Sequence, residues 1–266
     1  MLKAGATAAV AMAATMAHAN GTLDICYRSD AAPFSYVGTD GHPVGYSIEI
    51  CEAAAARLGM ETAMVEVDSL NRLDALSDDR CDMLCEATSI TMDRRRNYEF
   101  SLITFLTGSA LLYPQDLADA PDGDRSIAVG YLTGTTVAEH HRAGTLIGGG
   151  RADFAFEPFD DHTIAAEALA AGTIQSYVAD REILNAIMED HAELASTHRV
   201  SRESITYEPY AIAVRIGDDR LRIALDEVLV EMFRSGTIFD LLAKHIPNRR
   251  FDPVLTDLFA IQSLPE

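Results

Sequence analysis

The sequence is poor in basic residues. It has 21 Lys and Arg against 41 Asp and Glu, which gives a formal net charge of -20. Proteins that bind nucleic acid or anionic membrane surfaces neutralise phosphates with Lys and Arg, so this balance argues against both kinds of partner. We expect no nucleic-acid partner, and we interpret the acidic surface as a source of solubility.

No apolar run in the chain is long enough to span a bilayer, which takes about 20 residues. The longest candidate, Ala4–Ala17, follows Lys3 and ends in the small-x-small motif Ala17-His18-Ala19. This pattern predicts a secretory signal peptide over residues 1–19, cleaved before Asn20. Because no Cys stands at the cleavage site, we expect no lipid anchor there and a periplasmic mature protein.

Cysteine is scarce, at four residues: Cys26, Cys51, Cys81 and Cys85. An even number in an exported protein predicts one or two disulfides, with three complete pairings possible. Free buried thiols are the alternative. The Cys81-x-x-x-Cys85 spacing lacks the His or second Cys pair that a zinc site needs, so we expect no metal and no cofactor.

Internal repeats are also absent from the mature chain, whose length exceeds the about 100 to 150 residues of one domain. With 48% hydrophobic residues, it has enough apolar side chains for two cores. Strand and helix patterns alternate from residue 23 to residue 89 and again from residue 126 to residue 190, and the boundary between them is a loop rich in Pro, Asp and Gly at 114–126. Alternation of this kind predicts parallel sheets covered by helices.

Ligands bind such sheets beyond the carboxyl ends of the strands. Three segments in the first half follow predicted strands or loops at that edge: Arg28–Phe34, Ser69–Arg72 and Thr88–Arg94. In the second half, the turn Thr133–Thr136 opens a helix, and Asp180 ends the predicted strand IQSYVAD. These positions are where we expect a binding site.

Four stretches carry a family resemblance by their order and spacing: APFSYVGTDGHPVGYSIEI, CDMLCEATSITMDRRRNYEFS, GYLTGTTVAE and YEPYAIAVRIGDD. Together they resemble the polar amino-acid-binding proteins of bacterial ABC transporters, the extracellular solute-binding proteins of family 3, over Leu23–Pro247. The resemblance implies a two-lobed α/β fold of the periplasmic-binding-protein type. Each lobe is expected to be an open, mostly parallel sheet flanked by helices.

The resemblance also implies lobe boundaries. Residues 20–110 and 211–266 would form lobe 1, and residues 111–210 lobe 2. Two crossing strands would join the lobes near Ser109–Pro114 and Glu208–Val214. A protein of this kind is expected to act as a monomer that closes its lobes on a ligand and delivers it to an ABC transporter permease.

Within the family, the chain looks most like the glutamate/aspartate-binding branch. Binders of basic amino acids have Asp where this chain has Arg28 and an aromatic residue where it has Ala31, and the reversed charge implies an opposite ligand charge. Their aromatic platform corresponds to Ser69 here. Arg72 and His162 match an Arg and a His of the acidic branch. Glutamate or aspartate is therefore the expected ligand.

The resemblance assigns a role to each charged group of such a ligand, because each one needs a counter-charge when it is buried. Arg94 would bind the α-carboxylate, a task suited to a planar guanidinium, and Asp180 would bind the ammonium group. Hydroxyl and backbone donors would come from Ser89 and the Thr135-Thr136 turn, and Arg28, Arg72 and His162 would surround the side-chain carboxylate. The predicted ligand-binding set is Arg28, Ser69, Arg72, Ser89, Arg94, Thr135, Thr136, His162 and Asp180.

Five of these residues have a structural alternative. Arg94 stands in a run of three Arg that resembles a solvated surface, and Arg28 and Arg72 are compatible with exposed positions at element ends. His162 is compatible with a helix cap or with a pair to a neighbouring Asp, and Asp180 is compatible with an N-cap.

Two residues depart from the acidic branch. Ala87 replaces a Ser and removes a hydroxyl donor, and Glu86 replaces a small residue beside it. Neighbours in a strand point to opposite faces, so the direction of Glu86 is open. If it faces inward, it favours a neutral polar ligand.

An enzyme is the main competing class, because the fold also resembles a periplasmic cyclohexadienyl dehydratase. Glu86 is the one acid that we identify for such chemistry. We predict a binding protein with no catalytic residues. The ligand beyond its charge, the disulfide pairing and the permease are left open by the sequence.

Overall fold

The computed structural model describes residues 21–116, 126–144 and 153–265. The predicted signal peptide and most of the predicted boundary loop lie outside these residues. The strands are β1 Thr22–Tyr27, β2 Asp30–Ala31, β3 Ser35–Val37, β4 Pro43–Val44, β5 Glu61–Glu66, β6 Met83–Leu84, β7 Tyr98–Phe100, β8 Phe105–Thr107, β9 Ser109–Pro114, β10 Ser126–Leu132, β11 Asp153–Phe159, β12 Ser176–Asp180, β13 His198–Val200, β14 Glu208–Tyr210 and β15 Ala213–Arg215. The helices are α1 Tyr46–Leu58, α2 Arg72–Ser77, α3 Thr136–Arg142, α4 His162–Ala170, α5 Arg181–Asp190, α6 Ala192–Thr197, α7 Asp219–Ser235, α8 Thr237–His245 and α9 Pro253–Gln262.

The chain forms the two expected α/β lobes. The sheet of the first lobe has the order β5-β1-β6-β15-β7, with β1 parallel to β5 and β6, and β15 antiparallel to β6 and β7. β1 is apolar and largely buried because helices cover the sheet. Helix α1 ends at Gly59, which takes the left-handed conformation that favours glycine.

The sheet of the second lobe repeats this plan, with the order β11-β10-β12-β9-β13. β10 runs parallel to β11 and β12, while β9 runs antiparallel to β12 and β13. In both sheets, the carboxyl ends of the central parallel strands meet at the edge that faces the other lobe. This arrangement places the ends of β1 and β12 on either side of one cleft.

A separate two-stranded antiparallel ribbon, β8 with β14, connects the lobes. The first crossing strand is therefore Phe105–Thr107. Our expectation of a crossing at Ser109–Pro114 is wrong, because that segment is β9 and belongs to the second sheet. The second expected crossing segment, Glu208–Val214, divides into β14 and the start of β15, since residues 211 and 212 connect the ribbon to the first sheet.

Buried apolar side chains of both lobes form one continuous cluster, in addition to smaller clusters within each lobe. The expectation of two separate cores thus needs correction. Aromatic rings pack around the ribbon: Phe34 contacts Phe105 and Tyr210 edge-on, with ring centroids 5.2 Å and 5.0 Å away. This packing makes the hinge region part of the core.

All four cysteines pair, and both disulfides lie in the first lobe. Cys26 bonds to Cys81 and Cys51 to Cys85. The first bond links β1 to the turn before β6, and the second links α1 to the residue after β6. The alternative of free thiols is therefore excluded. Among the residues that the structure describes, no helix combines the length and apolarity needed to cross a membrane.

Candidate functional site

A small cavity, partly open to solvent, lies between the two lobes. Every predicted ligand-binding residue except Ser69 lines it. The lining is Arg28, Arg72, Ala87, Ser89, Arg94, Leu132, Thr135, Thr136, Val137, His162, Val178, Ala179, Asp180 and Ile183. The charged groups converge on one end of each sheet, and apolar side chains of the second lobe complete the wall.

Ser69 lies outside this cavity, at a contact between the lobes. Its hydroxyl donates to the backbone oxygen of Asp160 at 3.4 Å. Its own carbonyl oxygen lies so close to Gly134 that a Cβ there would be 2.1 Å from it. Gly134 has a φ of +68°, which also favours glycine. The tight approach of these two turns holds the lobes closed over the cavity.

Three arginines of the first lobe line the cavity and are almost fully buried. Arg28 follows β1, and Arg72 begins α2. Arg94 opens a single 3-10 turn over residues 94–96, and it is buried while Arg95 and Arg96 are exposed. The run of three arginines therefore combines one buried residue with two on the surface, so a solvated run describes only its last two members.

Arg28 is held by two carboxylates. Its Nε and Nη2 atoms donate to Asp30 at 2.9 Å and 2.8 Å, and its Nη1 lies 3.7 Å from Glu86 Oε2. Burial alone would raise the pKa of Asp30, but Arg28 and His162 outweigh it and lower that pKa to about 2. Burial likewise acts to lower the pKa of Arg28, but Asp30 and Glu86 raise it on balance. This pair is ionised at neutral pH.

Glu86 also binds Arg72, whose Nη1 donates to Glu86 Oε1 at 3.1 Å. The Thr88 hydroxyl donates to the same oxygen. Glu86 is 1% exposed and does not line the cavity, whereas its neighbour Ala87 does. The alternation of neighbours along the chain thus directs Glu86 behind the two arginines. Burial, followed by the charges of Arg94 and Arg28, lowers the pKa of Arg72 to about 10, which leaves it charged.

Arg94 completes this wall. Its Nη1 donates to the Ser89 carbonyl at 2.9 Å, and its Nη2 lies 3.4 Å from Oε1 of Glu139, a half-exposed residue of the second lobe. The Nε atoms of Arg94 and Arg72 are buried and have no hydrogen-bond partner within the described residues. Buried guanidinium donors normally have partners, so the hydrogen-bonding capacity of these two arginines is not fully used within the described residues.

Asp180 forms the acidic group of the opposite wall. It accepts hydrogen bonds from the Ser109 hydroxyl at 2.9 Å and from the Tyr210 hydroxyl. Although it stands at the N-cap position of α5, its side chain makes no capping hydrogen bond, so capping does not explain it. Burial, followed by the charge of Glu208, raises the pKa of Asp180 to about 7. Its charge is therefore sensitive to a nearby cation.

His162 begins α4, but Asp161 caps that helix by accepting from the backbone N–H groups of residues 163 and 164. The His162 ring instead bonds through Nδ1 to the Tyr177 hydroxyl at 2.8 Å. Burial, followed by the charge of Arg28, lowers the pKa of His162 to about 3. It is neutral at physiological pH and adds polarity to the cavity without adding charge.

Thr135 and Thr136 lie where α3 begins. Thr135 is the N-cap residue, and its hydroxyl donates to the Leu132 carbonyl at 2.7 Å, so it is not available as a side-chain cap. Thr136 is the first helical residue and is buried.

Contacts between the lobes surround the cavity. The His162 backbone N–H donates to Asp30 at 2.9 Å, and Arg72 Nη2 donates to the Gly134 carbonyl at 3.0 Å. Sequence reasoning missed the role of Asp30, although its position two residues after Arg28 is a signal for an ion pair. It also missed Tyr177 and Tyr210, which carry no local signal because their partners come from other strands.

A metal site finds no support in the described ranges, where no group of three or more His, Cys, Asp or Glu is arranged to hold an ion. The ring of His141, on α3, packs against the rings of Tyr131 and Phe156, at centroid distances of 4.8 Å and 4.6 Å.

The model of the bacterial extracellular solute-binding proteins, family 3, matches residues 23–248. The chain belongs to this family. Its match covers both sheets, the connecting ribbon and every residue named in the cavity wall. The expected family and two-lobed fold are thereby confirmed.

The names of related proteins state different ligands. The L-cystine-binding protein TcyJ of Escherichia coli is 25% identical over 222 residues, which cover 82% of this chain and 80% of TcyJ. The L-glutamate/L-aspartate-binding protein of Pseudomonas aeruginosa is 24% identical over 231 residues, which cover 82% and 74% of the two chains. A solved structure of an ancestral arginine-binding protein bound to arginine matches with a TM-score of 0.75 at 24% identity, covering 85% of this chain and 99% of that one.

Proposed function

We propose that this protein is the periplasmic receptor of an ABC importer and that it binds a polar α-amino acid by closing its lobes. One observation carries the proposal: a buried arginine of the first lobe, Arg94, and a partly buried carboxylate of the second lobe, Asp180, line the same cavity. An α-amino acid presents a carboxylate and an ammonium group on adjacent atoms, so it complements this pair.

Arg94 binds the α-carboxylate in this proposal, since a guanidinium offers two parallel N–H donors to a carboxylate. Ser89, on the same wall, supports it with its hydroxyl. Asp180 accepts the ammonium group, which replaces the lost hydration of a carboxylate that burial disfavours. Because the two residues belong to different lobes, the ligand contacts both only when the lobes are closed, and its affinity for that state drives closure.

Glutamate and aspartate are one candidate class of ligand. Arg28 and Arg72 line the cavity beyond Arg94 and offer positive charge to a side-chain carboxylate. The glutamate/aspartate-binding relative of Pseudomonas aeruginosa supports the same assignment.

Neutral polar amino acids are the second candidates, and the position of Glu86 favours them. This carboxylate already pairs with Arg72 and lies near Arg28. L-Cystine, which the relative from Escherichia coli binds according to its name, is a ligand of this class.

Isothermal titration calorimetry of the purified mature protein with the common L-amino acids and L-cystine tests the proposal. We expect micromolar or tighter binding of at least one of them. Absence of binding across this set would contradict it. Turnover of prephenate by the same preparation would instead favour the enzyme class, and binding to a permease is expected to require the ligand-bound closed form.

A further inference from the structure

We propose that Glu86 is a built-in counter-anion that sets the charge of the ligand, so that the cavity selects amino acids of zero net charge with a hydrogen-bonding side chain. The inference rests on the proposed function and specifies its substrate class. It starts from the placement of Glu86 behind the cavity wall, where it touches two arginines and no open space of the cavity.

Glu86 provides the two arginines with the negative charge that the side-chain carboxylate of an acidic ligand would otherwise supply. Its Oε1 receives Arg72 at 3.1 Å, and its Oε2 lies 3.7 Å from Arg28. Its side chain has no solvent exposure, so water screens these contacts little. The two arginines therefore face the cavity with much of their charge already balanced.

Asp30 also balances part of the charge of Arg28. It binds Arg28 through two hydrogen bonds of 2.9 Å and 2.8 Å, and its side chain is 9% exposed. Arg28 is thus paired on two sides before any ligand arrives.

The charges of the first wall give the same result. Arg28, Arg72 and Arg94 carry three positive charges, and Asp30 and Glu86 carry two negative charges. Glu139, which is about half exposed, is screened by solvent and adds little. The α-carboxylate of a zwitterion balances the remaining charge at Arg94, and Asp180 takes its ammonium group, whereas a charged side chain leaves one charge unbalanced, which is costly.

The polar groups that line the cavity indicate the side chain. His162 presents a neutral ring to the cavity, because burial lowers its pKa to about 3, and its Nδ1 already bonds to the Tyr177 hydroxyl. Arg72 lines the cavity as well, with its charge paired to Glu86. An amide or hydroxyl group forms hydrogen bonds with such partners without bringing a charge. Glutamine, asparagine and similar neutral polar amino acids fit this description.

Matched ligand pairs test the proposal on the unmodified protein. Glutamine and glutamate have the same shape and differ in charge, as do asparagine and aspartate. We expect calorimetry to give an affinity at least about tenfold higher for the neutral member of the better-binding pair. If the best ligand of the full amino-acid set carries a net charge, the inference is wrong even though the proposed function stands.

The variant Glu86→Gln tests the residue itself. Removing the internal anion leaves Arg28 and Arg72 undercompensated, so we expect the ratio of glutamate affinity to glutamine affinity to rise at least about tenfold. Glu61→Gln is the matched control, because it makes the same charge change at an exposed position where β5 begins, at the opposite end of that strand from the cleft. Its ratio should stay at the value of the unmodified protein.

If Glu86 has only a structural role, Glu86→Gln should weaken the binding of glutamate and glutamine by the same factor and leave the ratio of their affinities unchanged. This result would overturn the inference. If the variant does not fold, the ligand pairs on the unmodified protein decide the question. Failure to bind any amino acid removes the proposed function and the inference together.

Discussion

The two walls of the cleft solve the burial of charge in different ways. The wall of the first lobe holds three buried arginines, two of which pair with Asp30 or Glu86 of the same lobe. The wall of the second lobe holds Asp180, a partly buried carboxylate supported by hydroxyl groups from β9 and β14. The first wall thus balances most of its charge internally, and the second keeps an acid whose charge depends on what binds. In the proposed function, the first wall selects the ligand and the second binds its ammonium group.

The covalent links follow the same division. Both disulfides lie in the first lobe, and Cys81 and Cys85 flank the short strand β6. The segment 86–89, which carries Glu86 and Ser89, follows directly. Cross-links on both sides of β6 restrict how this segment can move, which suits a wall that must hold several charges at fixed distances.

Removing Arg94 should cause the largest loss. Arg94→Ala deletes the partner of the α-carboxylate and leaves that group buried without a counter-charge, so we expect the dissociation constant of the best ligand to rise about a thousandfold. Calorimetry measures it. Arg95→Ala removes an exposed arginine from the same run and should leave the affinity nearly unchanged. Equal losses in the two variants would show that the run acts through general charge.

Blocking the approach of the lobes should have the next largest effect. Gly134→Ala places a Cβ 2.1 Å from the Ser69 carbonyl, so it opposes closure, and we expect the dissociation constant to rise at least about tenfold. Gly172→Ala is the matched control, because Gly172 has a similar φ of +73° and nothing within 4 Å of the added Cβ.

Both glycine variants carry the same backbone penalty of about 1 kcal/mol. Their thermal stability should therefore fall alike, while small-angle scattering with saturating ligand should show a more open shape for Gly134→Ala alone. If the two variants bind equally well, the contact of Gly134 with Ser69 does not limit closure.

Acid should weaken binding by a smaller amount. The pKa of Asp180 is raised to about 7 in the unliganded protein, and the ligand ammonium requires the ionised form. Binding below pH 7 must therefore displace a proton, and affinity should fall by about tenfold between pH 8 and pH 6. Calorimetry in buffers of different ionisation enthalpy should detect the released proton. Asp180→Asn should bind weakly at every pH, and a retained pH dependence would assign the effect elsewhere.

The same group affects unfolding with a definite sign. The folded pKa of Asp180, about 7, exceeds the ordinary value of 3.8, so the native state holds more protons than the unfolded state between these two values. The contribution of Asp180 to the free energy of unfolding is fully present below about pH 4 and is lost as the pH rises through 7. Urea unfolding of the unliganded protein, compared with Asp180→Asn, measures it.

Much of the fold could be predicted because its signals are local. The alternation of strand and helix patterns over residues 23–89 and 126–190 is visible along the chain, and it corresponds to the two sheets and their covering helices. The division of the second crossing segment into β14 and β15 could not be predicted, since it depends on pairing with β8 and β6, which are distant from it in the chain. The position of the hinge depends on the same pairing.

The sequence by itself determined the family, the two-lobed fold and the polar residues that line the cavity, because these follow from motifs in a set order. Only the tertiary structure decided which disulfides form, that Ser69 joins the lobes, and that Glu86 and Asp30 pair with Arg28. Alternation along a strand leaves two directions open for Glu86, and Arg72 is 14 residues away from it in the chain. Which charges meet, and hence which ligand charge fits, is set by how the strand ends come together in space.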